Sequence, residues 1–260
     1  MSLRHLFSPE GEAALAATMA RRPLLAFDFD GTLAPIVARP DDARVPLPVA
    51  RRLDRLAATL PVAIVSGRSI DDVRARLSFE PRWIIGNHGA EDPLVPAPAS
   101  APALDGMRER LARHAEALAA AGVTAEDKAQ SIALHYRLAR DRERALALIE
   151  RLIEAPGPGV ESYGGKCVMN IVPADAPDKA HAVARLVERA GVESAVFVGD
   201  DVNDEPVFAR AEPGWLTVKI GREDPNSRAR FCLDSPDEVA SMLDRMLMRL
   251  DALGADPPPG

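Results

Sequence analysis

The sequence predicts an α/β protein, a doubly wound parallel sheet interrupted by a smaller α+β piece. Three observations carry that prediction. Short apolar runs alternate with helical stretches towards both ends of the chain, the strand, helix, strand rhythm of a parallel sheet. Two segments rich in proline and alanine, Val95 to Pro102 and Pro173 to Pro177, break the rhythm and bracket a middle piece with its own pattern. Acids then cluster directly after two of the apolar runs, at the strand ends where an open α/β sheet binds its ligands.

Before the first break, Leu24–Phe29, Val62–Val65 and Trp83–Ile85 read as strands, with helices near Pro48–Thr59 and Ile70–Leu77 between them. After the second break come a helix near Lys179–Ala190, a strand at Ala195–Val198, a short helix near Glu205–Arg210 and a strand at Leu216–Ile220. An amphipathic helix from about Asp237 to Leu250 closes the pattern, and the Ala, Asp and Pro tail beyond it is expected to fray. In the middle piece, Leu104, Met107, Leu111 and Leu118 mark one helix over Leu104–Ala120. It is followed by a strand at Ser131–Arg137, a helix at Arg142–Ile153 and a strand at Cys167–Val172, with weaker strands at Val123–Glu126 and Val160–Tyr163. The expected division is residues 1–100 with 176–260 as one domain and 101–175 as the other.

Composition narrows the function. The 260 residues suffice for one ordinary domain and a smaller one, and 47% hydrophobic with 27% charged residues is ordinary globular usage. A net charge of −7 argues against a nucleic-acid partner, which needs clustered positive charge. Arg4, Glu10 and Glu12 interrupt any leader-like apolar stretch, and no run approaches the roughly 18 apolar residues of a membrane span. A cytoplasmic protein with no membrane partner is expected. Cys167 and Cys232 lie far apart in apolar runs, where a thiol serves as a small hydrophobe. Only four of the 32 basic side chains are lysines (Lys128, Lys166, Lys179 and Lys219), so each marks a place where a compact point charge suits better than a planar fork.

The chemistry concentrates in Phe27-Asp28-Phe29-Asp30-Gly31-Thr32-Leu33, at the end of the first apolar run. Two acids spaced by two can point to one side of an extended chain end, where they repel unless a cation shares them. A hard divalent ion such as Mg2+ prefers oxygen ligands and accepts a phosphate oxygen and waters beside them. With that cation present Asp28 can attack phosphorus as an anion, while Asp30 gives and takes a proton. Taken alone, Asp30-Gly31 is equally a strand-ending turn. The second cluster, Gly199-Asp200-Asp201-Val202-Asn203-Asp204-Glu205, repeats the pattern at another strand end. Asp200 suits direct ligation, with Asp201 and Asp204 holding waters or Lys179, whereas Glu205 reads as a helix-start acid. Ser66-Gly67-Arg68 ends a third apolar run and opens a helix, where a hydroxyl and free N–H groups can hold phosphate oxygens. Lys179 stands at a helix start, an unfavourable place for a cation without an anionic partner.

These segments, in this order, resemble the haloacid-dehalogenase-like phosphatase superfamily. Gly86-Asn87-His88-Gly89-Ala90-Glu91, Glu126-Asp127-Lys128 with Leu134-His135-Tyr136-Arg137, Gly165-Lys166 leading to Pro173, and Gly199 to Glu205 are similar to the trehalose-6-phosphate phosphatases, over about residues 22 to 250. The resemblance implies a Rossmann-like doubly wound parallel sheet core with an inserted α+β C2-type cap. It implies hydrolysis through an aspartyl-phosphate, with Asp28 as nucleophile, Asp30 as acid and base, and Ser66 and Lys179 on the phosphoryl group. Mg2+ would be held by Asp28, the carbonyl of Asp30 and Asp200, with Asp201, Asn203 and Asp204 outside them. Thr32, Gly67, Arg68, His88, Glu91, Lys128, His135, Arg137, Lys166 and Asn170 would bear on the substrate, a small phosphorylated sugar. A monomer working alongside a trehalose-6-phosphate synthase is implied as well. Two positions depart from the family: Asn170 stands where a glutamate is usual and Asn203 where a threonine is usual. Asn170 removes a carboxylate able to accept two sugar hydroxyls. It keeps sucrose, glucosylglycerate and mannosyl phosphates open as substrates, and beyond them a catalytically silent sugar-phosphate-binding module.

Overall fold

A computed structural model describes residues 3–37, 39–95, 101–154, 156–222 and 224–255. Residues 1–89 and 178–260 form one compact unit and residues 90–177 another. Most of the first proline and alanine segment, residues 96–100, lies outside the described residues.

In chain order the first unit begins with β1 (Arg4–His5), α1 (Pro9–Met19), β2 (Leu24–Phe27), α2 (Leu47–Ala57), β3 (Val62–Val65), α3 (Ile70–Arg74) and β4 (Trp83–Ile85). The second unit holds α4 (Asp105–Arg113), α5 (Ala115–Ala120), β5 (Thr124–Asp127), β6 (Ile132–His135), α6 (Arg142–Ile153), β7 (Val160–Gly165) and β8 (Val168–Pro173). The first unit resumes with α7 (Lys179–Ala190), β9 (Ala195–Gly199), α8 (Glu205–Arg210), β10 (Leu216–Ile220), β11 (Phe231–Leu233) and α9 (Val239–Ala255).

The first unit is built on a seven-stranded sheet in the order β1-β11-β10-β9-β2-β3-β4, every pair parallel. From β2 the chain steps outward to β3 and β4; from β9 it steps the other way to β10 and β11. The strand order therefore reverses between β2 and β9, and the crevice at their carboxyl ends is where such sheets hold ligands. Alternate residues feed two apolar layers. Leu25, Phe27, Ile64, Val196 and Val198 pack with Leu15, Leu53, Met242 and Met246 from α1, α2 and α9. Leu24, Ala26, Ala63 and Phe197 pack with Val183, Leu186 and Phe208 from α7 and α8. Burial on both faces is why these strands read as unbroken apolar runs.

Several local expectations are corrected. β1, α1 and β11 have no counterpart in the sequence reading. α1 mixes small and apolar residues around its circumference, so its periodicity is faint, although Ser8 caps it by accepting from the Gly11 N–H at 3.2 Å and Pro9 opens it. α9 continues past Leu250 to Ala255 instead of fraying there. It is fastened to α2 by Arg52 on Asp244 at 2.7 Å and to α1 by Arg245 on Glu12. β2 ends at Phe27, but the Asp28 N–H still reaches the Val198 carbonyl at 2.9 Å, so the first acid is tied to the sheet.

The second unit is a four-stranded antiparallel sheet, β5-β6-β8-β7, with helices over one face. Ile132, Leu134 and Ile171 meet Met107, Leu111, Ile149 and Leu152 in its core. The single helix expected over Leu104–Ala120 is instead α4 and α5 meeting at His114. Nδ1 of His114 lies 2.9 Å from the Arg110 carbonyl, the one its own N–H would take in a continuous helix, and that N–H turns to Leu111 at 3.1 Å. No helix among the described residues is long and apolar enough to cross a membrane.

Candidate active site

Two strand tips at the reversal supply the centre of the site. Asp28 follows β2 and Asp200 follows β9, and both are 5% exposed. Asp204, fully buried, reaches back from the short turn after Asp201: its Oδ2 accepts the N–H groups of Asp200 at 2.8 Å and Asp201 at 3.0 Å. Carboxylate oxygens of Asp28, Asp200 and Asp204 all lie within 4.8 Å of one another. Lys179, the first residue of α7, is 1% exposed and donates to Asp28 Oδ1 and to Asp204 Oδ1, each at 2.7 Å. Its awkward place at a helix start is thus matched by two anions. The helix gains its own cap from Asp178, which accepts from the His181 N–H at 2.9 Å.

The electrostatics follow from three acids against this one lysine. Burial pushes the Asp28 carboxyl well above the usual carboxylate range; Lys179 opposes the shift, while Asp204 and Asp200 add to it. Burial alone would pull the Lys179 ammonium down, but Asp204 and Asp28 outweigh it and hold it above its ordinary value. With both Asp204 oxygens committed to Lys179 and backbone N–H groups, Asp28 and Asp200 are left as the carboxylates able to face a cation. Gly31, at φ +79°, makes that approach possible: a Cβ there would overlap the Asp200 carboxylate.

Asp30 turns elsewhere. Arg68 donates Nε to Asp30 Oδ2 at 2.6 Å and an Nη to Oδ1 at 2.7 Å, a bidentate pair. The same guanidinium reaches Asp72 at 2.7 Å and the Pro40 carbonyl at 2.9 Å. Burial lowers the tendency of Arg68 to hold its charge, and Asp30 with Asp72 more than restores it. Ser66 is 1% exposed and its Oγ accepts from the Arg68 N–H at 3.2 Å. Gly67 lies close against the His88 ring, which a Cβ there would overlap. Asn87 and His88 take left-handed backbone (φ 47° and 58°), and their N–H groups bond the carbonyls of Arg68 and Ser66 at 2.8 Å. Thr32, 1% exposed, keeps its hydroxyl without a hydrogen-bond partner among the described residues. Asp201 starts the short turn by accepting from the Val202 N–H at 2.9 Å, and Asn203 sits within that turn.

The remaining predicted residues belong to the second unit. On the sheet face away from its helices, Asn170 lies opposite Ala133 and Tyr163 and is 4% exposed. His135 Nε2 lies 2.9 Å from Glu126 Oε2, and Lys128 Nζ 3.7 Å from the same oxygen. The His135 hydrogen bond, helped by Lys128, holds Glu126 below the usual carboxylate range despite partial burial. Arg137 donates to the Lys166 carbonyl at 2.9 Å. Glu91 is half-buried near the start of this unit. Glu126, which meets both His135 and Lys128, was not among the predicted site residues. Its cross-strand diagonal to His135 becomes visible only once the β5 and β6 register is known.

A parallel sheet with acids gathered at the tips flanking its reversal, and an antiparallel unit inserted between its halves along the chain, is a fold shared with a solved phosphatase of the haloalkanoate superfamily from Bacteroides thetaiotaomicron, at a TM-score of 0.57 and 17% identity over 89% of this chain and 95% of that one. A family model described as trehalose-phosphatase matches residues 26–237. The chain belongs to the trehalose-phosphatase family.

Among its relatives is a Mycobacterium marinum protein named trehalose-phosphate phosphatase, 32% identical over 90% of this chain and 63% of that protein. A Mycobacterium tuberculosis protein named an uncharacterized glycosyl hydrolase is 35% identical over 92% of this chain but 19% of its own length. This chain thus spans under two thirds of either relative. The solved C-terminal domain of a trehalose-6-phosphate phosphatase from Candida albicans shares the fold, with a TM-score of 0.75 at 21% identity over 94% of this chain and 97% of that one.

Proposed function

We propose that the chain is a Mg2+-dependent phosphatase that hydrolyses trehalose 6-phosphate to trehalose and phosphate through an aspartyl-phosphate on Asp28. The observation that carries it is the buried Asp28 carboxylate, held by Lys179 at 2.7 Å beside Asp200 and Asp204 at the tips of β2 and β9. The residues fit a hard divalent cation, because Asp28, Asp200 and Asp204 offer carboxylate oxygens within 4.8 Å of one another and Lys179 does not balance three acids. Asp28, the Asp30 carbonyl and Asp200 would hold the ion, with Asp201, Asn203 and Asp204 around them. When bound, it supplies positive charge to the phosphoryl oxygens and relieves the repulsion between carboxylates.

The chain's own groups do the rest. The Asp28 carboxylate attacks phosphorus, the phosphorus–oxygen bond to the sugar breaks, and Asp30 gives its proton to the departing sugar oxygen. Asp30 then takes a proton from a water that attacks phosphorus, which frees inorganic phosphate and restores the Asp28 carboxylate. Lys179 offsets negative charge as the phosphoryl group transfers, and Ser66 with the N–H groups of the Gly67 and Arg68 loop binds its oxygens. Arg68 must loosen its bidentate grip for Asp30 to exchange protons. Thr32, His88, Glu91, Lys128, His135, Arg137, Lys166 and Asn170 enter as substrate contacts on the strength of the family pattern. Action in the cytoplasm as a monomer, alongside a trehalose-6-phosphate synthase, belongs to the same proposal.

Asn170 favours a second substrate reading, since an amide can donate to a sugar hydroxyl where the family's carboxylate accepts. Phosphate release with Mg2+ across trehalose 6-phosphate and the sucrose, glucosylglycerate and mannosyl phosphates tests both. The highest kcat/KM is expected on trehalose 6-phosphate. A higher value on another sugar phosphate changes the substrate, and binding without release from any of them leaves a silent module.

A further inference from the structure

Two of the four lysines are buried, Lys179 at 1% and Lys219 at 5% exposure, and both donate into the acidic turn of residues 200–205. Lys179 meets the turn through a side chain, Asp204. Lys219 meets it through the main chain. It lies on β10 opposite Gly199, the last residue of β9, and its Nζ is 3.3 Å from the Asp200 carbonyl oxygen. The same ammonium lies 3.2 Å from Glu205 Oε1 and 5.9 Å from the centre of the Phe208 ring. Glu205 is itself fixed, its other oxygen accepting the Arg228 N–H at 2.8 Å.

We infer that Lys219 is a positioning residue for the cation pocket, setting the peptide from which Asp200 projects. Asp200 is clamped on both sides: its N–H by Asp204 at 2.8 Å and its carbonyl by Lys219. A lysine suits the task because its three donors spread over a small volume, so one ammonium serves a carbonyl, a carboxylate and a ring face together. Burying that charge is unfavourable without a partner, and Glu205 is the partner. Because Lys219 and Glu205 neutralise each other, their combined field on the pocket is small and orientation is what Lys219 contributes. This fixes a sign. Removing Lys219 alone would leave Glu205 as an uncompensated anion and draw a divalent cation in, whereas removing both charges together leaves orientation as the change and weakens binding.

The inference rests on the proposed Mg2+ phosphatase, and calorimetric titration of Mg2+ without substrate keeps the two apart. Wild-type protein is expected to bind Mg2+. The double variant Lys219→Met with Glu205→Gln, which leaves no buried charge unpaired, should bind about tenfold more weakly, yet approach wild-type kcat once Mg2+ is saturating. In the same Glu205→Gln background Lys219→Gln, still able to donate to the Asp200 carbonyl, should recover most of the affinity. Wild-type or tighter Mg2+ binding by the folded Met variant, or no recovery in the Gln variant, overturns the inference alone. A folded wild-type protein that binds no Mg2+ overturns it together with the phosphatase reading.

Discussion

The two units treat charge in opposite ways. At the tips of β2 and β9 the charged groups are sealed: Lys179 and Asp204 are 1% and 0% exposed, and each holds two or more hydrogen bonds to the other members of the cluster. In the second unit the His135 and Glu126 side chains are 36% and 51% exposed. In the sealed cluster a lost partner can leave a charge that water cannot reach. Around His135 and Glu126 water replaces a lost partner, and a substitution there comes at little cost to folding.

The contrast can be broken at several points. Asp28→Asn should reduce phosphate release by about 10⁴-fold or more, because an amide cannot attack phosphorus, with little change in thermal unfolding, because Lys179 keeps Asp204 and one of three mutually repelling carboxylates is gone. Activity near the wild-type level would remove Asp28 as the nucleophile. Lys179→Met should lower stability by about 3–5 kcal/mol in urea unfolding without added divalent cation, since Asp28 and Asp204 would face each other buried. A loss below about 1 kcal/mol would put this pair in the same category as the exposed ones. Arg137→Ala should lower kcat/KM about tenfold for the disaccharide phosphate and leave an aryl phosphate almost untouched, a difference of about 1.4 kcal/mol. Equal losses on both substrates would place Arg137 outside sugar recognition.

The smallest effect concerns pH. His135 and Lys128 hold Glu126 below its ordinary value of 4.5, so the ionised form is favoured in the folded state. That stabilisation is present above pH 4.5 and fades as pH falls through the lowered value. Glu126→Gln should therefore lose about 0.5 kcal/mol near neutral pH and nothing measurable in acid. An equal loss at both extremes would show that packing, not charge, is what Glu126 provides.

Much of the architecture was legible because burial on both faces leaves unbroken apolar runs: β3, β4 and β10 begin and end where the sequence placed them, as do α6, α7 and α8. Elements with weaker contrast were not. β1 has two residues and β11 three, too short for a period to register; β11 is held by β10, and β1 in turn by β11. The break at His114 depends on a ring and carbonyl contact that no spacing rule contains. In the cluster, the acids stood out because they follow strands, and Lys179 because a cation at a helix start is out of place. The grip of Arg68 on Asp30 and the hold of Lys219 on the Asp200 carbonyl join residues far apart in the chain, and only the folded sheet brings them together.

The reversal of strand order has a consequence for how the protein is made. β2 is synthesised before the inserted unit and β9 after it, yet the two are neighbours in the sheet. A nascent chain that ends at residue 177 therefore carries Asp28 without Lys179, Asp200 or Asp204. The inserted unit, whose strands pair only among themselves, can form during that wait. Translation order thus leaves Asp28 waiting for Lys179, Asp204 and Asp200, and the acidic cluster can close only after the inserted unit has been made.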